Sequence, residues 1–189
     1  MKEFSLSDED KHCLLKLARA GIGNMLQTVK MQDRELSSQN LEEKCGAFVT
    51  IEIGSRLRGC IGSVESEQPL HLTVEEMAVS SSFRDPRFPP LKPEEFDKIV
   101  IEISVLSPLE NVRGSENIEI GKHGILLKKD YLSGLLLPQV ATRYGWDSKE
   151  FLKQTCLKAG LSADAWMDDD CEINVFSAIV FKEGEHGGA

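Results

Sequence analysis

The chain has 189 residues, 41% of them apolar and 28% charged, and its 22 basic and 31 acidic side chains give a formal charge of −9. That length favours one domain or two closely packed lobes, and it is enough to bury a core without a disulfide or metal staple. The acidic balance excludes general affinity for nucleic acid and for anionic membrane surfaces, both of which recruit Lys and Arg, while leaving room for a local basic cluster that binds a small anion.

The opening Met1-Lys2-Glu3-Phe4-Ser5 lacks the apolar run of a secretory signal, and no stretch reaches the ~20 apolar residues of a membrane helix. The cysteines Cys13, Cys45, Cys60, Cys156 and Cys171 are odd in number and form no CxxC pair. They read as reduced thiols in a reducing compartment, and the expected location is the cytoplasm.

Residues 7–27 predict an amphipathic helix with Leu14, Leu17, Ala18, Met25 and Leu26 at helical spacing and a Ser7/Asp10 capping box. Residues 30–44 are polar and read as a loop. Residues 46–53 alternate, with Ala47, Val49, Ile51 and Ile53 on one face and Phe48, Thr50 and Glu52 on the other. Gly54-Ser55 marks a turn, so 56–64 return as the second arm of a hairpin. A helix follows from Pro69 to about residue 83.

The prolines of Asp85-Pro86-Arg87-Phe88-Pro89-Pro90 make a stiff, shaped loop. The clearest strand is 98–106. Shorter ones fall within 118–129 and 134–137. Pro138 starts a short helix to about Tyr144, Asp147 with Glu150 caps another over 148–159, and 171–182 form a last strand before a frayed polar tail. Helices do not alternate singly with strands, which predicts an α+β fold: a mainly antiparallel sheet with helices packed on it. The chain reads as a single domain over 1–189, with an ordered core at about 7–183.

Chemistry concentrates in Arg56-Leu57-Arg58-Gly59-Cys60-Ile61-Gly62. In an extended strand Arg56, Arg58 and Cys60 share a face, and guanidiniums near a thiol favour the thiolate, the nucleophilic form. Gly59 would let a ligand approach the backbone. The structural alternative is a buried, inert thiol beside a bulge. Arg84-Asp85-Pro86-Arg87 places two arginines and a carboxylate on a rigid loop, fit to clamp an anion or simply to cap a turn. His123, between Lys122 and Gly124, is a candidate base, and Gln139 a candidate amide donor. No P-loop, HExxH, GxSxG or EF-hand pattern occurs, and the Asp168-Asp169-Asp170 run reads as solvated carboxylates rather than a metal site.

Leu57-Arg58-Gly59-Cys60-Ile61-Gly62 is similar to the hallmark hexapeptide of the AMMECR-type family. The resemblance continues through Asp85–Pro90, Glu102–Leu106, Gly121–Ile125, Leu136–Val140 and Trp146-Asp147 with Lys158–Leu161, in order over roughly residues 10–183. It implies two lobes, the smaller inserted within the larger, with the hallmark segment in the cleft between them, and an association with radical-SAM and Memo-type partner proteins. It implies no secure activity.

Two readings follow. The first is a small-molecule enzyme or enzyme component with a cleft lined by Arg58, Gly59, Cys60, Asp85, Arg87 and His123, with Arg84 and Gln139 as further candidate binding residues. In it Cys60 is the nucleophile, Arg58 lowers its pKa and binds an anionic group, His123 is the base and Asp85 orients the arginines. The second is a non-catalytic module whose same surface binds a radical-SAM or Memo-type protein. A metal carrier using Cys60, His123 and Cys156 ranks last, because Cys156 falls on the core face of its helix.

Overall fold

In the computed structural model, which describes residues 5–28 and 38–184, the Ser7/Asp10 capping box opens α1 (Asp8–Met25) as its sequence requires. The Asp10 amide donates to the Ser7 hydroxyl (3.1 Å) and the Ser7 amide to the Asp10 carboxylate (3.0 Å), which satisfies two donors the helix cannot pair internally. Leu14, Ala18 and Ile22 are fully buried, but Met25 is 54% exposed, so the apolar stripe stops one turn short of the predicted end. Most of the expected 30–44 loop and the tail from 185 lie outside the described residues. Gln39–Glu42 form a 3-10 turn.

The chain divides into two compact units, residues 1–106 with 179–189 and residues 107–178, the second inserted in the sequence of the first. In the first unit, β1 (Ala47–Ile53) is flanked by β2 (Arg56–Ser63) and β3 (Ile99–Leu106), both antiparallel to it. Val49, Ile51, Ile101 and Ile103 point to one face. There they form a single core with Leu14, Ala18 and Ile22 of α1 and Leu70, Val74 and Ala78 of α2 (Leu70–Phe83). Each Leu, Ile or Val side chain among them contributes about 2 kcal/mol by leaving water. The predicted alternation therefore holds, and Phe48, Thr50 and Glu52 face away from the helices.

In the second unit, β5 (His123–Lys129) pairs with β6 (Leu132–Leu136) and with β7 (Glu172–Lys182), whose residues from Ile179 belong to the first unit. The short β4 (Glu110–Val112) takes the other edge of β7, again antiparallel. Ile125, Leu127, Ile173 and Val175 pack against α4 (Ser148–Lys158) through Phe151, Leu152 and Cys156 and against Ala141 of α3 (Pro138–Tyr144). Asp147 caps α4 by accepting from the Glu150 amide (2.7 Å).

The strand expected from residue 118 begins only at His123, because Glu119–Lys122 make a turn whose carbonyl at Glu119 accepts from the His123 amide (2.9 Å). The architecture is α+β and antiparallel. Among the described residues no helix is long and apolar enough to cross a membrane.

Candidate functional site

Gly54, at φ +60°, turns the β1–β2 hairpin and sets Ile53 opposite Arg56. Simple counting back from that turn would oppose Thr50 to Gly59. Instead the register slips between Ile51 and Glu52: Gly59 opposes Ile51, Leu57 opposes Glu52, and Arg58 is the extra residue of a β-bulge.

The slip changes which side chains share a face. Cys60 opposes Thr50, on the face turned away from the helices, whereas Arg56 opposes Ile53 on the other face. The expected common face of Arg56, Arg58 and Cys60 is thus corrected by one inserted residue.

Past α2, residues 84–91 lie along the outer edge of β2, and Asp85 is buried there. Its carboxylate accepts from the Cys60 amide (2.8 Å), the Arg87 amide (3.0 Å), and Arg87 Nε (2.9 Å) and Nη2 (2.7 Å). Arg87 Nη2 also donates to the Cys60 carbonyl (3.0 Å). The Asp85–Arg87 pair therefore gives Cys60 an acceptor for its N–H and a donor for its C=O, as a neighbouring strand would, and closes an edge left without a strand partner.

The hydrogen bond from Arg87, aided by the Cys60 and Arg87 amides, holds the Asp85 carboxyl well below the usual carboxylate range despite burial, which alone would raise it. The Arg87 guanidinium, 55% exposed, is in turn pushed up, first by its hydrogen bond to Asp85 and further by the adjacent Cys60. Cys60 is partly exposed, and its sulfur accepts from the Thr50 hydroxyl (3.3 Å). Arg87, not Arg58, is the guanidinium beside Cys60.

Arg58 is committed elsewhere. Nε and Nη2 form a fork on Glu95 (2.9 and 3.0 Å), and Nη1 and Nη2 donate to the carbonyls of Pro89 (2.9 Å) and Pro90 (3.3 Å). It anchors the proline loop to the bulge and lowers the Glu95 pKa chiefly through that hydrogen bond.

Gly59 admits not a ligand but the helix, since a Cβ there would overlap the backbone carbonyl of Ser81. Ser81, buried, accepts from the Ile61 amide (2.8 Å) and donates to a carbonyl of β1, Val49 (2.7 Å), tying α2 to the hairpin at the site. Arg84 lines a shallow groove along α2 with Leu72, Glu75 and Val79.

His123 and Gln139 belong to the second unit. His123 Nδ1 accepts from the Glu119 amide (3.2 Å), so the neutral ring carries its proton on Nε2. Gln139 is exposed on the first turn of α3. Cys156 is wholly buried, and among the described residues no three His, Cys, Asp or Glu side chains are grouped to hold a metal ion.

Thr50, Ser81 and Glu95 escaped the sequence reading. The alternation of 46–53 carries the face of Thr50, but only the bulge places it opposite Cys60.

A family model for AMMECR1 matches residues 15–181. The chain belongs to the AMMECR1 family. Every candidate residue lies inside the match, so the edge built by Asp85 and Arg87 on Cys60 is part of the family domain and not an appendage to it.

Among its relatives, "Protein MK0488" of Methanopyrus kandleri is 45% identical over 97% of this chain and 93% of its own length. "Protein Mbar_A1807" of Methanosarcina barkeri is 42% identical over 97% and 95%. The crystal structure of the uncharacterized protein PH0010 from Pyrococcus horikoshii matches with a TM-score of 0.80 at 40% identity, covering 95% of this chain and 94% of that one.

Proposed function

We propose that this AMMECR1-family chain carries out thiol chemistry on a small anionic molecule. Cys60 attacks an electrophilic carbon: an S–C bond forms, and the leaving group departs with the electron pair of the bond it held. Arg87 binds the anionic group, and Asp85 acts as a positioning residue that fixes Arg87. One observation carries this reading. Cys60 is partly exposed, while its own backbone N–H and C=O are clamped by a carboxylate–guanidinium pair whose cation remains half in solvent.

Iodoacetate and iodoacetamide differ by one negative charge and react by the same displacement of iodide. Their rates at Cys60 therefore read the Arg87 field directly. Arg87→Gln is expected to lower the iodoacetate-to-iodoacetamide rate ratio by roughly three- to tenfold at low ionic strength, an effect that fades with salt. An unchanged ratio would remove the anion-binding role.

His123→Ala and Gln139→Ala belong in the same assay, and an unchanged Cys60 alkylation rate would remove His123 as base and Gln139 as amide donor from the reading. If a radical-SAM or Memo-type protein binds the chain through Arg87 while Cys60 resists alkylation, the surface is a docking module and not a reaction centre.

A further inference from the structure

Side chains two apart on a strand share a face, so Cys60 and Gly62 both belong to the face of β2 turned away from the helices. On β1, Thr50 opposes Cys60 and Phe48 opposes Gly62. Gly62 has no side chain of its own, and the Phe48 ring fills that space: a Cβ at Gly62 would overlap ring atoms Cγ and Cδ1. The ring therefore lies across β2, two residues along from Cys60. An extended strand rises about 3.3 Å per residue, which puts roughly 7 Å between the two positions.

On its other side Phe48 opposes Ser104 of β3. Its neighbours across the sheet are thus Gly62 and Ser104, neither large enough to cover a ring. Among the described residues Phe48 is packed into neither hydrophobic core, and it is partly exposed.

The second unit holds the contrasting case. Phe176 opposes Gly124, and its ring likewise fills the space of the missing Cβ, but Phe176 is 2% exposed. Shielding a strand glycine is a sufficient role for a buried ring. At Phe48 the same arrangement leaves apolar surface uncovered beside a thiol. Phe88, the other ring of the site, has the Arg87 guanidinium over it, 5.5 Å from the centroid.

We propose that Phe48 is a specificity-determining residue: an aromatic ring of the substrate packs on it while the electrophilic carbon meets Cys60. This rests on the thiol reading above and narrows its substrate to an aryl-bearing anion. Cys60 then lies between two recognition elements. Arg87 donates to its carbonyl from the outer edge of β2, and the Phe48 ring reaches in from β1. Aromatic pairs gain from their offset or edge-to-face geometry as well as from burial, which favours an aryl group over an alkyl one.

The test compares iodoacetamide with its N-phenyl derivative, iodoacetanilide, on the full chain, with labelling of Cys60 read by peptide mass spectrometry. Both reagents form the same S–C bond and release iodide. The anilide adds an uncharged ring, which lies about as far from the bonded sulfur as residue 62 lies from residue 60. Dividing the rate ratio at Cys60 by the ratio on a free small thiol removes intrinsic reactivity, and ionisation of the sulfur cancels.

The wild-type ratio should exceed the free-thiol ratio by roughly three- to tenfold, and Phe48→Ala should return it to the free-thiol value. Phe48→Trp should keep the preference. Phe48→Leu still covers Gly62 and should lower it, and that variant decides if Phe48→Ala does not fold. Shielding of Gly62 alone predicts a less stable Phe48→Ala with no change in the ratio. A wild-type ratio no higher than that of the free thiol, or one that the Phe48 variants leave unchanged, would overturn the aryl site and leave the thiol reading standing. A Cys60 that reacts with neither reagent until the protein unfolds would remove both.

Discussion

Asp85→Asn is expected to destabilise the protein by about 3 kcal/mol in urea or thermal unfolding. The substituted amide brings a donor to a buried position that already faces the Cys60 N–H and three Arg87 donors, so hydrogen bonds are lost and buried donors go unpaired.

The effect has a pH signature. Asp85 titrates well below its unfolded value, so the stability it adds is present above about pH 4 and is lost as pH falls through the folded pKa. The gap between wild type and Asp85→Asn should therefore close on acidification below about pH 4 and be constant from pH 5 to 8. A gap that widens toward acid would show that the carboxylate is not held ionised. The same substitution should loosen Arg87 and lower the iodoacetate preference of Cys60, joining the stability of the edge to its chemistry.

Gly59→Ala is expected to cost a similar amount, about 3 kcal/mol, by a different route. The new methyl has nowhere to go, because it meets the Ser81 carbonyl, which is helix backbone and not a mobile side-chain tip. Relief requires α2 to move off β2, which breaks the Ser81 contacts to Ile61 and Val49 and displaces the 84–91 segment that carries Asp85.

Gly54→Ala is the control. It sits at φ +60° with open space around it, so only the left-handed backbone penalty of about 1 kcal/mol applies. Equal losses at the two positions would mean that the helix does not rest on Gly59 as described.

Much of the fold was legible because local chemistry and tertiary packing agree. The Ser7/Asp10 box, the alternation of Ala47–Ile53 and the Asp147 cap each specify an element that the structure contains. β4 was not legible: three residues, Glu110–Val112, are too few to show a period, and they are a strand only because β7 offers an edge.

The candidate site shows the same division. Cys60, Asp85 and Arg87 were selected by residue type, and their meeting depends on α2 bringing a loop 25 residues along the chain back to the β2 edge. Arg58 looked like the activating cation because its bulge cannot be read from alternation. One extra residue sends it to Glu95 and moves Cys60 opposite Thr50, and nothing in the local sequence fixes where a hairpin slips.

The most direct measurement of the account is site-resolved alkylation of the native protein with limiting iodoacetamide at about pH 8, followed by peptide mass spectrometry. Burial pushes the thiols of Cys45 and Cys171 up to about 11 and that of Cys156 upward as well. On the order of one thiol in a thousand is then ionised at Cys45 and Cys171 at that pH. Cys60 should be carbamidomethylated well before these three, which should react fully only after denaturant is added. A Cys60 that stays unmodified until the protein unfolds, or that labels no faster than Cys171, would contradict the claim that this sulfur does chemistry.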